Sequence, residues 1–175
     1  MKCSRVFITV GTTDFDTFIE QIDVVQFCDA LSTLSCTELV VQIGRGKKEP
    51  IVLPDACTQR GISYECFRFK PTLSENMSRA DLIISHCGAG SVLEALTLQK
   101  MLVVVVNPTL QGNHQTELAD TLTESKYALS SEPHSFLEDF ARFTSEGISN
   151  MLETYPQTDL NTFPDLVDSL FEWET

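Results

Sequence analysis

The chain has 175 residues, 42% hydrophobic, 21% charged and 9% aromatic, which is apolar material for one domain's core and argues against a disordered chain. It carries 25 acids against 12 bases, a formal charge of −13, and a surface of that sign repels phosphate backbones and anionic headgroups. The numbers therefore argue against nucleic-acid binding, direct polybasic membrane attachment and a pair of complete nucleotide-binding domains.

Short β-branched runs alternate with helix-length segments along the chain. Val6-Phe7-Ile8-Thr9-Val10 predicts a first strand closed by Gly11, and Phe18, Ile22, Val25 and Leu31 predict a helix over 15–34. A second strand is expected at Leu39-Val40-Val41-Gln42-Ile43, closed by Gly44, and a weaker one around Tyr64 to Phe69. A short helix from Leu73 to Ala80 leads into Leu82-Ile83-Ile84-Ser85, a strand followed by a glycine-containing turn. The next helix, Ser91 to Leu98, opens on a capping-type serine with Glu94 three residues on. Leu102-Val103-Val104-Val105-Val106 ends at Asn107-Pro108, and His114 to Ser125 is a helix with Leu118 and Leu122 on one face.

Near-continuous apolar strands are buried on both faces, the mark of a parallel sheet flanked by helices. The order describes a doubly wound, Rossmann-like α/β domain with right-handed crossovers. In such sheets ligands sit beyond the carboxyl ends of the strands, so chemistry is expected in the loops after Val10, Ile43, Phe69, Ser85 and Val106.

The composition changes near residue 131. Ten of the 25 acids but only one of the 12 bases, Arg142, fall in residues 132–175, so nine of the thirteen net negative charges lie there. We therefore divide the chain into a nucleotide-binding-type domain, residues 1–131, and an acidic helical C-terminal segment, residues 132–175. That segment has a weak helical run from Phe136 to Met151, then prolines at 156 and 164, then an apolar stripe of Phe163, Leu166, Val167, Leu170 and Phe171. The stripe has the spacing of an amphipathic helix, which packs back on its own domain or docks on a partner.

The six cysteines, at positions 3, 28, 36, 57, 66 and 87, form no C-x-x-C pair and no zinc-spaced cluster, so no metal site is expected. They read as reduced core thiols of a cytosolic protein. The Val6–Val10 run is too short for a signal-peptide core, and no stretch approaches the ~20 apolar residues of a spanning helix.

Three segments carry chemistry. Gly11-Thr12-Thr13-Asp14 leads a strand into a helix and offers backbone N–H groups suited to phosphate, although a plain capped turn accounts for it equally well. In Ser85-His86-Cys87-Gly88-Ala89-Gly90-Ser91-Val92-Leu93-Glu94 the glycines permit close backbone approach and Glu94 lies one turn into the helix. A phosphate with a carboxylate nearby for ribose hydroxyls is what a nucleotide site needs. Read singly, His86 is also a satisfied strand-end histidine and Glu94 a capping-box partner of Ser91. Asn107-Pro108-Thr109-Leu110-Gln111-Gly112-Asn113-His114-Gln115 holds the amides and imidazole that read sugar hydroxyls, with Asn113 equally a good N-cap.

Ile8 to Thr13, Ala80 to His86 with Gly88 to Ser91, and Asn113-His114-Gln115 with Glu117-Leu118-Ala119, taken in this order, resemble the soluble catalytic subunits of the UDP-N-acetylglucosamine transferases of dolichol-linked oligosaccharide synthesis. Those subunits are similar to the C-terminal, donor-binding half of bacterial lipid-linked-sugar transferases of the GT-B fold. The resemblance covers residues 3 to about 127 well and the tail more loosely. It implies that Gly11, Thr12 and Thr13 lie against the diphosphate, joined by backbone N–H groups of Gly88, Ala89, Gly90 and Ser91. It places Glu94 on the ribose, the backbone of Phe69 and Lys70 on uracil, and Asn113, His114 and Gln115 at the N-acetylglucosamine. Cys87 departs from the alanine common at its position.

The resemblance further implies β-1,4 transfer of N-acetylglucosamine, with inversion, from UDP-N-acetylglucosamine to N-acetylglucosaminyl-diphospho-dolichol, and no cofactor. In the two-domain relatives the base and the acceptor groove belong to the other half, so a membrane-anchored partner subunit is expected to form a heterodimer at the cytosolic face of the endoplasmic reticulum. His86 and His114 are the candidate bases within this chain. A non-catalytic UDP-sugar-binding module is the alternative, and an NAD-dependent oxidoreductase is disfavoured because the first strand lacks the dinucleotide glycine fingerprint.

Overall fold

Successive residues of a pleated strand face opposite sides, so a strand apolar at every position demands helices on both. The computed structural model, which describes residues 3–107 and 114–156, meets that demand. Within those residues the strands β1 (Arg5–Thr9), β2 (Glu38–Gln42), β3 (Ser63–Phe67), β4 (Leu82–His86), β5 (Met101–Val105) and β6 (Leu129–Ser131) form one parallel sheet in the order β3-β2-β1-β4-β5-β6. The helices are α1 (Asp16–Ile22), α2 (Val25–Thr33), α3 (Leu53–Gln59), α4 (Ser74–Arg79), α5 (Ala89–Thr97), α6 (His114–Glu124), α7 (Phe136–Glu146) and α8 (Ile148–Met151). One face of the sheet sends Val6, Ile8, Val41, Ile84 and Val103 against α1, α2, α3, α7 and α8. The other sends Phe7, Val40, Ile83, Leu102 and Val104 against α4, α5 and α6. The expected Rossmann-like parallel sheet is thus the one observed.

Several expected elements differ. The helix read over 15–34 is two, because Val24 is extended (φ −140°, ψ 153°) and the Asp23 carboxylate turns away to accept the N–H groups of Ile51, Val52 and Leu53 at 2.8, 2.8 and 2.9 Å. The N–H groups of Val52 and Leu53 are unsatisfied donors at the start of α3, so one residue at the end of α1 caps another helix distant in sequence. Helix α3 went unread: it is short, with a proline in its first turn. Strand β6 was also missed, being three residues with two serines. Gly147, at φ +86°, divides the expected run from Phe136 to Met151 into α7 and α8. Helix α5 starts at Ala89 after an extended Gly88, so Ser91 lies inside the helix and the Ser91–Glu94 capping box does not form.

Phe136, Phe140 and Phe143 of α7 are buried in the cluster that holds Phe18 and Phe27. The Phe136 and Phe140 rings stack at 5.4 Å and 15°, Phe18 meets Phe136 edge-on at 4.9 Å, and Phe140 packs on Phe27 at 5.3 Å. The C-terminal stripe from Phe163 to Phe171 lies outside the described residues. Five of the six cysteines are buried, and burial pushes the Cys3 thiol up to about 12. Among the described residues no helix is long and apolar enough to cross a membrane.

Replacing Phe140 by Ala should lower stability by about 3–5 kcal/mol through lost burial and the cavity left behind. A urea titration reads this as a reduced midpoint at unchanged slope.

Candidate functional site

The strand order runs outward in both directions from the β1–β4 pair, so the connections leaving β1 and β4 diverge and open a crevice at their carboxyl ends. A cleft of about 520 Å³ lies there. Its lining brings together Gly11, Thr12, Phe69, Lys70, His86, Gly88, Ala89, Gly90, Ser91 and Glu94, segments far apart in sequence. Thr13, His114 and Gln115 are not among the lining residues, and Asn113 lies outside the described residues. Thr13 closes the turn instead, its hydroxyl donating to the Val10 carbonyl at 2.8 Å. Gln115 accepts the Asn107 N–H at 2.9 Å, and His114 is exposed at the first position of α6.

His86 forms the floor. The residue is 7% exposed, and its ring lies against the backbone of Gly11 and Gly88. A Cβ on Gly11 would stand 2.5 Å from the imidazole Cε1, and one on Gly88 would stand 2.4 Å from Nε2. Gly11 is also held at φ +61°, where side chains are strained. Glycine at both positions is therefore a packing requirement set by His86. Over Gly90, by contrast, an added Cβ meets nothing within 4 Å.

The electrostatics rest on backbone dipoles. Helix α5 has no side-chain cap, so its first N–H groups face the cleft without intrahelical acceptors. The Lys70 ammonium is engaged elsewhere, with Glu65 at 2.9 Å and over the Phe67 ring at 4.1 Å. Burial pushes the His86 pKa down, so the imidazole is neutral at pH 7, and its buried Nδ1 has no hydrogen-bond partner among the described residues. Glu94 accepts a hydrogen bond of 2.6 Å from the Ser74 hydroxyl, which fixes its carboxylate at the cleft wall. No group of three His, Cys, Asp or Glu among the described residues is placed to hold a metal ion.

Sequence reading missed Gln42, which also lines the cleft and is 1% exposed. Its Nε2 donates to the carbonyls of Gly11 and Arg68, both at 2.7 Å, and its Oε1 accepts the Thr9 hydroxyl at 2.6 Å. The available signal was a lone amide inside an apolar strand, where an unsatisfied polar group is costly.

A neutral buried His86 makes stability depend on pH. The unfolded imidazole takes its proton near pH 6.5, the folded one only at lower pH, so this contribution is complete above about 6.5 and is lost as pH falls below it. Unfolding of the ligand-free chain should steepen below that pH by up to about 1.4 kcal/mol per unit for the one proton. His86→Asn should remove this increment of slope, whatever its effect on the plateau.

A sequence profile for the glycosyltransferase family 28 C-terminal domain matches residues 5–170. The chain is 43% identical over 122 residues to the human UDP-N-acetylglucosamine transferase subunit ALG13, covering 70% of this chain and 10% of that relative. It spans about a tenth of the length of the human and mouse relatives. Against the subunit of the same name from Yarrowia lipolytica the identity is 38% over 140 residues, 73% of this chain and 70% of the relative. An NMR solution structure of ALG13 shares the fold with a TM-score of 0.67 at 24% identity, over 98% of this chain and 97% of that one. The same architecture is the C-terminal domain of GT-B glycosyltransferases, as the sequence led us to expect. With the profile running through all but the ends of the chain, the protein belongs to the family of glycosyltransferase family 28 C-terminal domains.

Proposed function

We propose that this chain is the donor-binding, catalytic subunit of a glycosyltransferase that moves N-acetylglucosamine from UDP-N-acetylglucosamine to N-acetylglucosaminyl-diphospho-dolichol, forming a β-1,4 bond. The observation that carries the reading is the convergence of Gly11, Gly88, the uncapped start of α5 and Glu94 on one cleft at the strand-order reversal. The names of the human and Yarrowia relatives supply the donor. A diphosphate lies over Gly90 and takes the N–H groups of α5, with Gly11 and Thr12 on its other side. The ribose diol donates to Glu94, already oriented by Ser74. Uracil pairs with backbone at Phe69 and Lys70, and Asn113, His114 and Gln115 receive the sugar.

In the reaction the 4-hydroxyl oxygen of the acceptor sugar attacks the anomeric carbon from the face opposite the diphosphate. The bond from that carbon to the β-phosphate oxygen breaks, UDP leaves with the electron pair, and the hydroxyl proton passes to a base. The chain's contribution is stabilisation of the departing diphosphate by fixed dipoles, which cost no reorganisation. His86, neutral and beneath both glycines, is suited to a phosphate contact. His114 stays a base candidate beside any group from a partner. A membrane-anchored partner, docked on the acidic tail with its stripe from Phe163 to Phe171, would supply the acceptor groove and hold the chain at the cytosolic face of the endoplasmic reticulum.

Transfer of radiolabelled sugar to the dolichyl-linked acceptor, with and without the membrane partner, tests the reading: product should require both chains and UDP-N-acetylglucosamine. UDP binding with no transfer by the complex would leave a non-catalytic sugar-nucleotide module. Glu94→Ala should weaken UDP binding about 10- to 100-fold, the range for a lost charge-assisted contact, with complex assembly unchanged. Full donor affinity in that variant would end the ribose assignment.

Gly90→Ala and Gly88→Ala separate packing from binding. Alanine at 90 should keep or raise stability, by up to about 1 kcal/mol for a helical Gly→Ala change, while weakening UDP binding measured by calorimetry. Alanine at 88 should lower both stability and binding, since it displaces the His86 ring.

A further inference from the structure

Gln42 occupies the centre of a row across three strands: it pairs in register with Thr9 of β1 on one side and Phe67 of β3 on the other. Both hydrogens of its amide nitrogen are used. One goes to the Gly11 carbonyl in the loop after β1 and the other to the Arg68 carbonyl in the loop after β3. On the opposite side, the Gly11 N–H donates to the Thr9 hydroxyl at 3.1 Å, which itself donates to the Gln42 Oε1. Gly11 is thereby tied at both its N–H and its carbonyl, and a closed circuit of hydrogen bonds holds its positive φ. No N–H of the amide is left for a ligand, so Gln42 acts on the cleft through the two loops it joins.

We propose that Gln42 is a positioning residue that sets the distance between the base-holding loop, Arg68 to Lys70, and the phosphate-holding loop at Gly11. It thereby gives the cleft its preference for a whole nucleoside diphosphate over either half alone. The inference rests on the donor site proposed above. A ligand that bridges both loops gains from their fixed spacing, because the cost of ordering them is met before binding. A nucleoside or a pyrophosphate touches one loop and gains nothing from the other. Leucine at 42 leaves two carbonyls without their donor, and a glutamate carboxylate faces two carbonyl oxygens with no proton to offer. A protonated glutamic acid restores one of the two bonds.

The test measures UDP, uridine and inorganic pyrophosphate binding to the full-length chain by calorimetry and by NMR shift titration, for wild type, Gln42→Leu and Gln42→Glu. UDP affinity should fall about 10- to 100-fold in both variants at about pH 8, with uridine and pyrophosphate changed by less than about 3-fold. At about pH 5.5 Gln42→Glu should recover several-fold relative to wild type, and Gln42→Leu should not. Should Gln42→Leu fold poorly, the pH recovery of Gln42→Glu decides alone. Equal losses for all three ligands, or no recovery of Gln42→Glu at low pH, would overturn the positioning role. Wild type that fails to bind UDP at all would overturn the donor site and this inference with it. Wild type that binds UDP beside variants that bind it equally well would overturn only the inference.

Discussion

The candidate donor cleft depends on one constraint, the reversal of strand order at β1 and β4. Two adjacent parallel strands deliver their loops to the same edge, then send them to opposite faces of the sheet. Where they part, the backbone must pass close to whatever fills the gap between them. In this chain the gap is filled by an imidazole, and Gly11 and Gly88 are the residues that tolerate its contact. The start of α5 follows directly, so its dipole points into the space the reversal creates.

This arrangement makes a formal charge of −13 compatible with the diphosphate proposed for the cleft. Net charge acts over the Debye length, about 8 Å at physiological ionic strength, and beyond it exposed charges are screened. Backbone N–H groups act at contact distance in a cleft partly closed to water. The near field is favourable even where the far field is not, and the Lys70 ammonium at the cleft wall is committed to Glu65 and the Phe67 ring. A site of this kind selects by geometry more than by attraction, which gives the spacing of its loops more weight than its charge.

Much of the architecture was legible because buried parallel strands are nearly all apolar, as in Leu102 to Val105, and glycines follow several of them. The glycine segments at 11 and at 88–90, with Glu94, were legible for the same reason: their positions relative to the strands could be read locally. What could not be read depends on distant partners. Asp23 looked like one more residue of a long helix until its carboxylate was found on the N–H groups of Ile51 to Leu53. Ser91 carried the signature of a cap, but the extended Gly88 starts the helix a few residues sooner. Gln42 resembles a stray polar residue until the Gly11 and Arg68 carbonyls are placed beside it.

The aromatic cluster beneath the sheet has a consequence for how the chain is made. Phe18 and Phe27 are packed by Phe136 and Phe140, which are encoded roughly 110 residues later. At a synthesis rate of about 5–20 residues per second, α1 and α2 leave the ribosome roughly 5–20 s before the helix that covers them. For that interval two phenylalanines and the edge of a growing parallel sheet are open to other chains, and a contact of such long sequence separation is slow to form even once α7 has emerged. The burial that fixes the finished fold thus leaves Phe18 and Phe27 of the nascent chain uncovered until α7 has been made.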